Sequence, residues 1–363
     1  MYKKFKEEKD AGMLGLNRGI PFRLERFNMY IPGVRKERLF LVGGGSGSGK
    51  SKTANELFIF NVFDHWVANK KSYPLQIHYF SLEMPESKII AELAARWIHK
   101  TEGFLVDSQY LLSHWTNYSL APFINELLES ESFKQYVNDF AECTKILDMS
   151  LNSVSFSKYI QKIAHENGQI KTREVKTKDG ATINLFDSYV ENDKSQVTLV
   201  ILDHISLVKT ISGQNRKQMI DEMADIMIKA RNRHLFTFVV TQQLNRGFNS
   251  TDRIRLDDIL PKDSDFRDGS GMFDASDVVI GLMSPSRERQ TSILGFKVAD
   301  DDSGPGFGNR LLILNIIKNR HGEAFSVFPL LFLGETGELA ELPRKASEYN
   351  LDNLKRYKKY YLN

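Results

Sequence analysis

The residues best suited to chemistry are gathered in one octet. Gly44-Gly45-Ser46-Gly47-Ser48-Gly49-Lys50-Ser51 fits G-x-x-x-x-G-K-[ST] at every position. Each type matches the task of holding a polyphosphate. Glycines let the backbone wrap closely, so that its N–H groups point at phosphate oxygens. A helix starting at the lysine turns its positive end toward the same anion. Lys50 adds a full charge at the outer phosphates, and the Ser51 hydroxyl is placed to ligate Mg²⁺. A flexible Gly/Ser loop is the competing account. The flanks argue against it, because Leu39-Phe40-Leu41-Val42 reads as a buried strand and Thr53 to Asn69 has helical spacing of apolar residues. The octet points to nucleotide binding and does not separate kinases, motors and switches.

Two carboxylates could complete such a site. Asp203 closes the apolar run Val200-Ile201-Leu202, where an acid at a strand end can hold Mg²⁺ through water. Its other reading is a cap or turn aspartate. Glu83 follows Phe80-Ser81-Leu82 and precedes Met84-Pro85. At the end of a strand it could orient the attacking water, or it could simply open the helix after Pro85.

Those residues need elements to hold them. Six strands are expected, at 39–42, 77–80, 197–202, 236–240, 278–282 and 311–317. Helices are expected over about 53–69, after Pro85, across parts of 101–150, and at 157–167 and 218–233. Strands alternating with helices predict an α/β domain with a mainly parallel sheet. Residues 1–20 read as an arm or linker, and 21–36, with Pro21, Pro32 and Gly33, as a loop leading into the core. The polar stretch 171–194, with a turn at Asp179-Gly180, reads as a surface hairpin. An acidic, glycine-rich insertion spans 284–309, and a basic, tyrosine-rich tail spans 343–363. One core domain is therefore expected over 21–342.

The 363 residues allow one large domain or two smaller ones. A hydrophobic fraction of 41% and a charged fraction of 26% are those of a globular protein. The net charge of +3 says little about partners. With Cys143 as the single cysteine, no disulfide framework and no cysteine-built zinc site is possible within the chain. No apolar run approaches the roughly 18 residues of a membrane span, and a cytoplasmic site of action is expected.

Four segments then resemble, in order, the helicase domain of DnaB-type replicative helicases and of phage primase-helicases. They are the octet, Phe80-Ser81-Leu82-Glu83-Met84-Pro85, Ile201 to Val208, and Val239-Val240-Thr241-Gln242-Gln243-Leu244-Asn245-Arg246. Two later stretches agree. Asp265-Phe266-Arg267-Asp268-Gly269-Ser270-Gly271 is similar to the family's D-L-R-x-S-G loop, and Lys318-Asn319-Arg320-His321-Gly322 to its K-x-R-x-G hairpin. The resemblance runs from about Gly15 to Leu339. Leu-Asp-His-Ile-Ser leans toward the phage branch, and Ser-Leu-Glu-Met-Pro toward the DnaB branch.

The resemblance implies a RecA-like P-loop NTPase core, ATP with Mg²⁺, and 5′-to-3′ translocation on single-stranded DNA as a ring, usually a hexamer. It implies Glu83 as catalytic base and Gln243 as sensor of the γ-phosphate. Arg320, with Lys318 beside it, becomes a finger reaching a neighbouring subunit's ATP. Read locally, Gln243 is a core-edge amide and Arg320 a solvated turn residue. The family binds single strands through channel-facing loops. The candidates here are Lys209, Arg216 and Lys217 in one loop, Asn245 and Arg246 with Arg253 and Arg255 in a second, and Arg267, Gly269 and Ser270 in a third. Small residues and basic side chains suit contact with the phosphate backbone. Because the octet begins at Gly44, no fused primase is expected, and a separate primase or loader is. A recombination or repair ATPase forming filaments on DNA, and a non-motor regulatory ATPase, are the other function classes considered.

Overall fold

Strands form where apolar, largely β-branched or aromatic runs alternate with helices. The computed structural model describes residues 2–13, 19–112, 121–179, 181–245, 253, 258–301 and 304–348, with backbone alone at 3, 4, 7, 8, 11 and 267–269. Among the described residues the strands are β1 (Leu39–Gly44), β2 (Leu75–Ser81), β3 (Thr144–Leu147), β4 (Gly168–Lys176), β5 (Thr182–Glu191), β6 (Val197–Asp203), β7 (Thr237–Gln243), β8 (Val278–Met283), β9 (Ser292–Ile293), β10 (Phe296–Lys297), β11 (Leu311–Asn319), β12 (Val327–Phe332) and β13 (Leu339–Glu341). Nine of them make one sheet, in the order β13-β12-β11-β8-β1-β7-β6-β2-β3. From β8 to β3 all pairings are parallel; β11, β12 and β13 extend the sheet antiparallel. This is a RecA-like α/β fold with a mainly parallel central sheet flanked by helices.

Alternation within each central strand builds two apolar layers. Leu39 and Leu41, Val200 and Leu202, and Phe238 and Val240 face one layer, which holds Phe156 and Ile160 from the helix Ser153–Asn167 and Met219, Met223 and Met227 from the helix Arg216–His234. Phe40 and Val42, Leu199 and Ile201, and Val239 face the other, with Leu57, Phe58, Ile89 and Leu93 from the helices that follow β1 and β2. Burial on both faces is why these strands read as continuous apolar runs.

The helix after the octet runs through three stretches, Lys50–Ala54, Asn55–Phe60 and Asn61–Ala68, and the middle one has the wider π spacing. Fully buried Arg96, on the helix Glu86–Glu102, contacts Glu56 from that π stretch and Asp64 at 3.0 Å. A buried guanidinium needs such partners to offset its desolvation. The two carboxylates thereby fix the phosphate-loop helix to its neighbour.

The six expected strands are the six central ones, from β11 to β2. The outer strands β3, β12 and β13 were not anticipated. Two are only four and three residues long, and the third contains Pro329, a residue that argues against a strand unless it sits near an edge. Residues 25–30 form a short helix where a loop was expected, and 2–13 form a helix where an arm was expected. β4 and β5 pair as an antiparallel hairpin over Gly168 to Glu191. Within 284–309, β9 and β10 pair as a second, two-residue hairpin. Among the described residues no helix is long and apolar enough to cross a membrane.

The sheet also carries a pH-sensitive core position. His78, on β2, is buried, with Nδ1 2.9 Å from the Tyr159 hydroxyl and Nε2 3.3 Å from Gln76 Oε1. Burial, with a smaller push from Lys145, lowers its pKa to about 4. The unfolded chain then binds a proton that the folded chain refuses, between an unfolded pKa of about 6.5 and the folded value. Stability from this neutral imidazole is complete above about pH 6.5 and is lost as pH falls toward 4. His78→Gln is expected to flatten that part of the urea-unfolding stability profile; an unchanged acid slope would place its origin elsewhere.

Candidate nucleotide site and nucleic-acid-facing loops

The octet joins the end of β1 to the helix at Lys50. Gly47 and Gly49 have φ of 70° and 81°, the left-handed region where a side chain would be strained. Lys50 is half-buried, and its Nζ donates to the Gly45 carbonyl at 2.8 Å. Burial lowers the Lys50 pKa, and Asp203 and Glu83 act against that shift. The ammonium is thus within the field of both carboxylates. Ser48 Oγ is buried and has no hydrogen-bond partner among the described residues. A loop with left-handed glycines, an orphan hydroxyl and a desolvated lysine fits a bound polyphosphate.

Asp203, at the end of β6, is 1% exposed. Thr241 Oγ1 donates to its Oδ1 at 2.5 Å, and the Tyr79 hydroxyl donates to Oδ2 at 3.3 Å. These bonds orient the carboxylate and suit an acid that meets a metal through water. Ser51 is half-buried in the first turn of the helix. Glu83 lies just past β2 and is exposed, while the neighbouring Leu82 N–H donates to the Asp203 carbonyl at 2.9 Å. β2 is not beside β1, because β7 and β6 stand between them. The approach of Glu83 to the phosphate loop therefore depends on chain that overhangs the sheet. His204 sits in the same group, its pKa lowered first by burial and raised in turn by Asp203 and Glu83.

Gln243 is the last residue of β7, in register with Gly44, and is exposed. The next residue, Leu244, donates its N–H to the Gly44 carbonyl at 3.2 Å. Gly43 is close-packed, since a Cβ there would lie 2.2 Å from the Phe266 ring. The Asp265-to-Gly271 segment is in this way seated on the strand that leads into the octet.

Two residues near the octet escaped the sequence reading. The Arg287 guanidinium would stand 3.1 Å from a Cβ at Gly47, and the Phe332 ring 3.4 Å from one at Gly49. Arg287 follows β8 and Phe332 ends β12, far away in sequence. Neither carries a local signal that could have singled it out.

Lys318 and Arg320 lie elsewhere. Lys318 pairs with Val279 and Asn319 with Val278, near the start of β8, whereas the octet leaves the far end of β1. Arg320 N–H donates to the Asp277 carbonyl, and Asp277 N–H to that of Leu39. Arg320 is thus level with Leu39, five residues and roughly 17 Å of strand from Gly44. At that edge Lys318 Nζ donates to the carbonyls of Phe273 and Asp274, both at 2.9 Å, and Arg320 contacts the Asp274 carbonyl and, at 3.5 Å, Asp277 Oδ1. The sheet does not bring this pair to the phosphate loop of its own chain.

Lys209, Arg216 and Lys217 are exposed around the loop that follows β6, with Arg216 donating to the Ser206 carbonyl at 3.0 Å. Asn245 is half-buried, and its Nδ2 donates to the Ser264 carbonyl at 3.1 Å. Ser270 begins the helix Ser270–Ala275, and Gly269 ends the 3₁₀ turn that contains Arg267. Arg246 and Arg255 lie outside the described residues. Arg253 differs from expectation. Its guanidinium is spent on the Asp258 and Leu260 carbonyls and on Asp265 Oδ1, at 2.8, 2.7 and 2.5 Å, so it braces its loop from inside.

A family model described as the DnaB-like helicase C terminal domain matches residues 128–341. That span holds Asp203, Gln243, Lys318 and Arg320. Comparison with curated proteins finds no match. Among solved structures, one described as an ATPase domain is similar at a TM-score of 0.63 and 14% identity, over 94% of this chain and 96% of that one. A DnaB-like replicative helicase, solved for its interactions with primase, is similar at a TM-score of 0.60 and 14% identity, over 89% of this chain and 63% of that one. This chain therefore spans less than two thirds of the second relative.

Proposed function

We propose, from the premise that this chain belongs to the family of DnaB-like helicase C-terminal domains, that it hydrolyses ATP between copies of itself to move 5′-to-3′ along single-stranded DNA. The observation that carries this reading is the division of the catalytic set. The phosphate loop, Asp203 and Glu83 follow or close the C-terminal ends of β1, β6 and β2, and Lys318 and Arg320 stand at the opposite end of the sheet. Such a set is complete only where two copies abut, which a closed ring, of hexameric type in this reading, achieves for every subunit.

Each residue then has a task. Backbone N–H groups of 44–51 and Lys50 hold the phosphates. Ser51 and Asp203 would hold Mg²⁺, which supplies charge neutralisation at the phosphate oxygens when bound. Glu83 accepts the proton of the water that attacks the γ-phosphorus, and the bond to the β-phosphate oxygen breaks to leave ADP and phosphate. Arg320 of the adjoining copy stabilises charge on the phosphoryl oxygens. Arg287 and Phe332 flank the loop as a second cation and a stacking face for the nucleotide. Gln243 ends β7 beside Gly44, and Phe266 packs on Gly43, so the nucleotide end of β1 and β7 is mechanically joined to the DNA-facing segments 245 and 265–271. Lys209, Arg216, Lys217, Arg246, Arg267 and the Gly269-Ser270 backbone track DNA phosphates, which makes binding weaken with salt. A separate primase or loader is a partner in this reading, and the site of action is the cytoplasm, that of a bacterial host if the chain is phage-encoded.

The test is steady-state ATPase activity with and without single-stranded DNA, alongside mass by light scattering and unwinding of forks with opposite-polarity tails. DNA-stimulated turnover by a ring-sized species that unwinds only from a 5′ tail is expected. Filaments without unwinding would favour a recombination ATPase, and DNA-independent turnover a regulatory one.

A further inference from the structure

The edge that carries Arg320 also holds a cavity of about 60 Å³, lined by Arg35, Arg38, Asn319 and His321 over a floor that includes Phe40 and Val278. We propose that this cavity is a binding site for a phosphate-class oxyanion, separate from the phosphate loop.

The lining is one-sided in charge. Arg35 and Arg38 come from the turn before β1, and Asn319 and His321 from the end of β11, so two distant parts of the chain bring cationic or donor groups to one space. No carboxylate is among the lining residues. Burial lowers the Arg38 pKa, with Arg35 pushing the same way, and burial, Arg38, Arg35 and Arg320 together depress His321. The Arg35 and Arg38 guanidinium groups share the lining of this one cavity with Asn319 and His321.

The carboxylates within range offset this charge only in part, Asp277 acting on Arg38 and His321 and Glu37 on Arg38. Asp277 is committed to others, since its Oδ2 accepts from Arg231 at 2.8 Å and from the Leu39 N–H at 2.9 Å, while Arg320 takes Oδ1 at 3.5 Å. His321 is 3.9 Å from that same oxygen. Glu37 is exposed, and Arg38 bonds its backbone carbonyl at 2.9 Å, not its carboxylate.

An oxyanion is the ligand that this arrangement suits. Guanidinium groups carry donors alone, in a planar fork that matches phosphate oxygens two at a time. The volume of about 60 Å³ is several times the roughly 10–15 Å³ that admits one water and accommodates a tetrahedral anion. Binding of free orthophosphate stands independently of the motor reading, and the nucleotide source rests on it. The anion is either free orthophosphate or a terminal phosphate of a nucleotide held by an adjoining copy, because Arg320 shares this edge.

Equilibrium dialysis with labelled orthophosphate tests it, in a Lys50→Ala background that weakens the phosphate loop. Lys50→Ala protein is expected to bind phosphate, and adding Arg35→Gln with Arg38→Gln to weaken that binding by roughly tenfold or more. Arg35→Lys with Arg38→Lys is expected to retain part of it, which separates loss of the site from loss of fold. Phosphate should also raise the thermal midpoint of the parent and not of the Gln variant. No binding by the Lys50→Ala parent, or equal binding by the Gln variant with its fold intact, would overturn the assignment. A non-hydrolysable ATP analogue, added to assembled wild-type protein, separates the two sources. Displacement of the Arg35- and Arg38-dependent phosphate assigns the site to an adjoining copy's nucleotide, and retention assigns it to free phosphate.

Discussion

Lys50→Ala is expected to lower ATP turnover by about 10²–10³-fold, the cost of removing one preorganised charge from a phosphoryl-transfer site. The structure gives the reason that the fold survives. Among the described residues the Lys50 ammonium makes one hydrogen bond, to the Gly45 carbonyl. It is a desolvated cation near two carboxylates, and deleting it breaks no core contact. Steady-state hydrolysis and urea unfolding should therefore part company, with turnover lost and the unfolding midpoint kept. Glu83→Gln provides the contrast, because it should keep nucleotide affinity and lose turnover. Unchanged hydrolysis by Lys50→Ala would remove the octet from the chemistry.

Arg320→Ala is expected to lower turnover by about 10³–10⁵-fold, the range for an arginine finger. Its local role is small, since Asp277 keeps Arg231 and the Leu39 N–H when Arg320 is gone. The decisive measurement mixes two inactive proteins. In a Lys50→Ala and Arg320→Ala mixture, an intact loop of one copy can meet an intact finger of the other, and activity should return. A finger acting within its own chain predicts a dead mixture. Added to wild type, Arg320→Ala subunits should likewise depress activity more steeply than dilution alone.

Much of the candidate site was legible in the sequence because its parts are local. The octet, the acid closing an apolar strand and the amide closing another each sit where a buried strand stops, and such runs can be read from types and spacing. The six central strands were legible for the same reason, being buried on both faces. The sequence by itself thus determined the phosphate loop, the parallel core and the order of the segments. The tertiary structure alone decided which strand stands beside which. Insertion of β7 and β6 between β1 and β2 separates Glu83 from the strand its neighbours follow. The antiparallel return of β11 puts Arg320 at the far edge, away from the phosphate loop of its own chain. Arg287 and Phe332 reach the octet, Arg253 turns inward, and Arg35 meets His321, through pairings remote in sequence. Residue types set what each side chain can do, and long-range packing sets what each is near; no local pattern encodes the second.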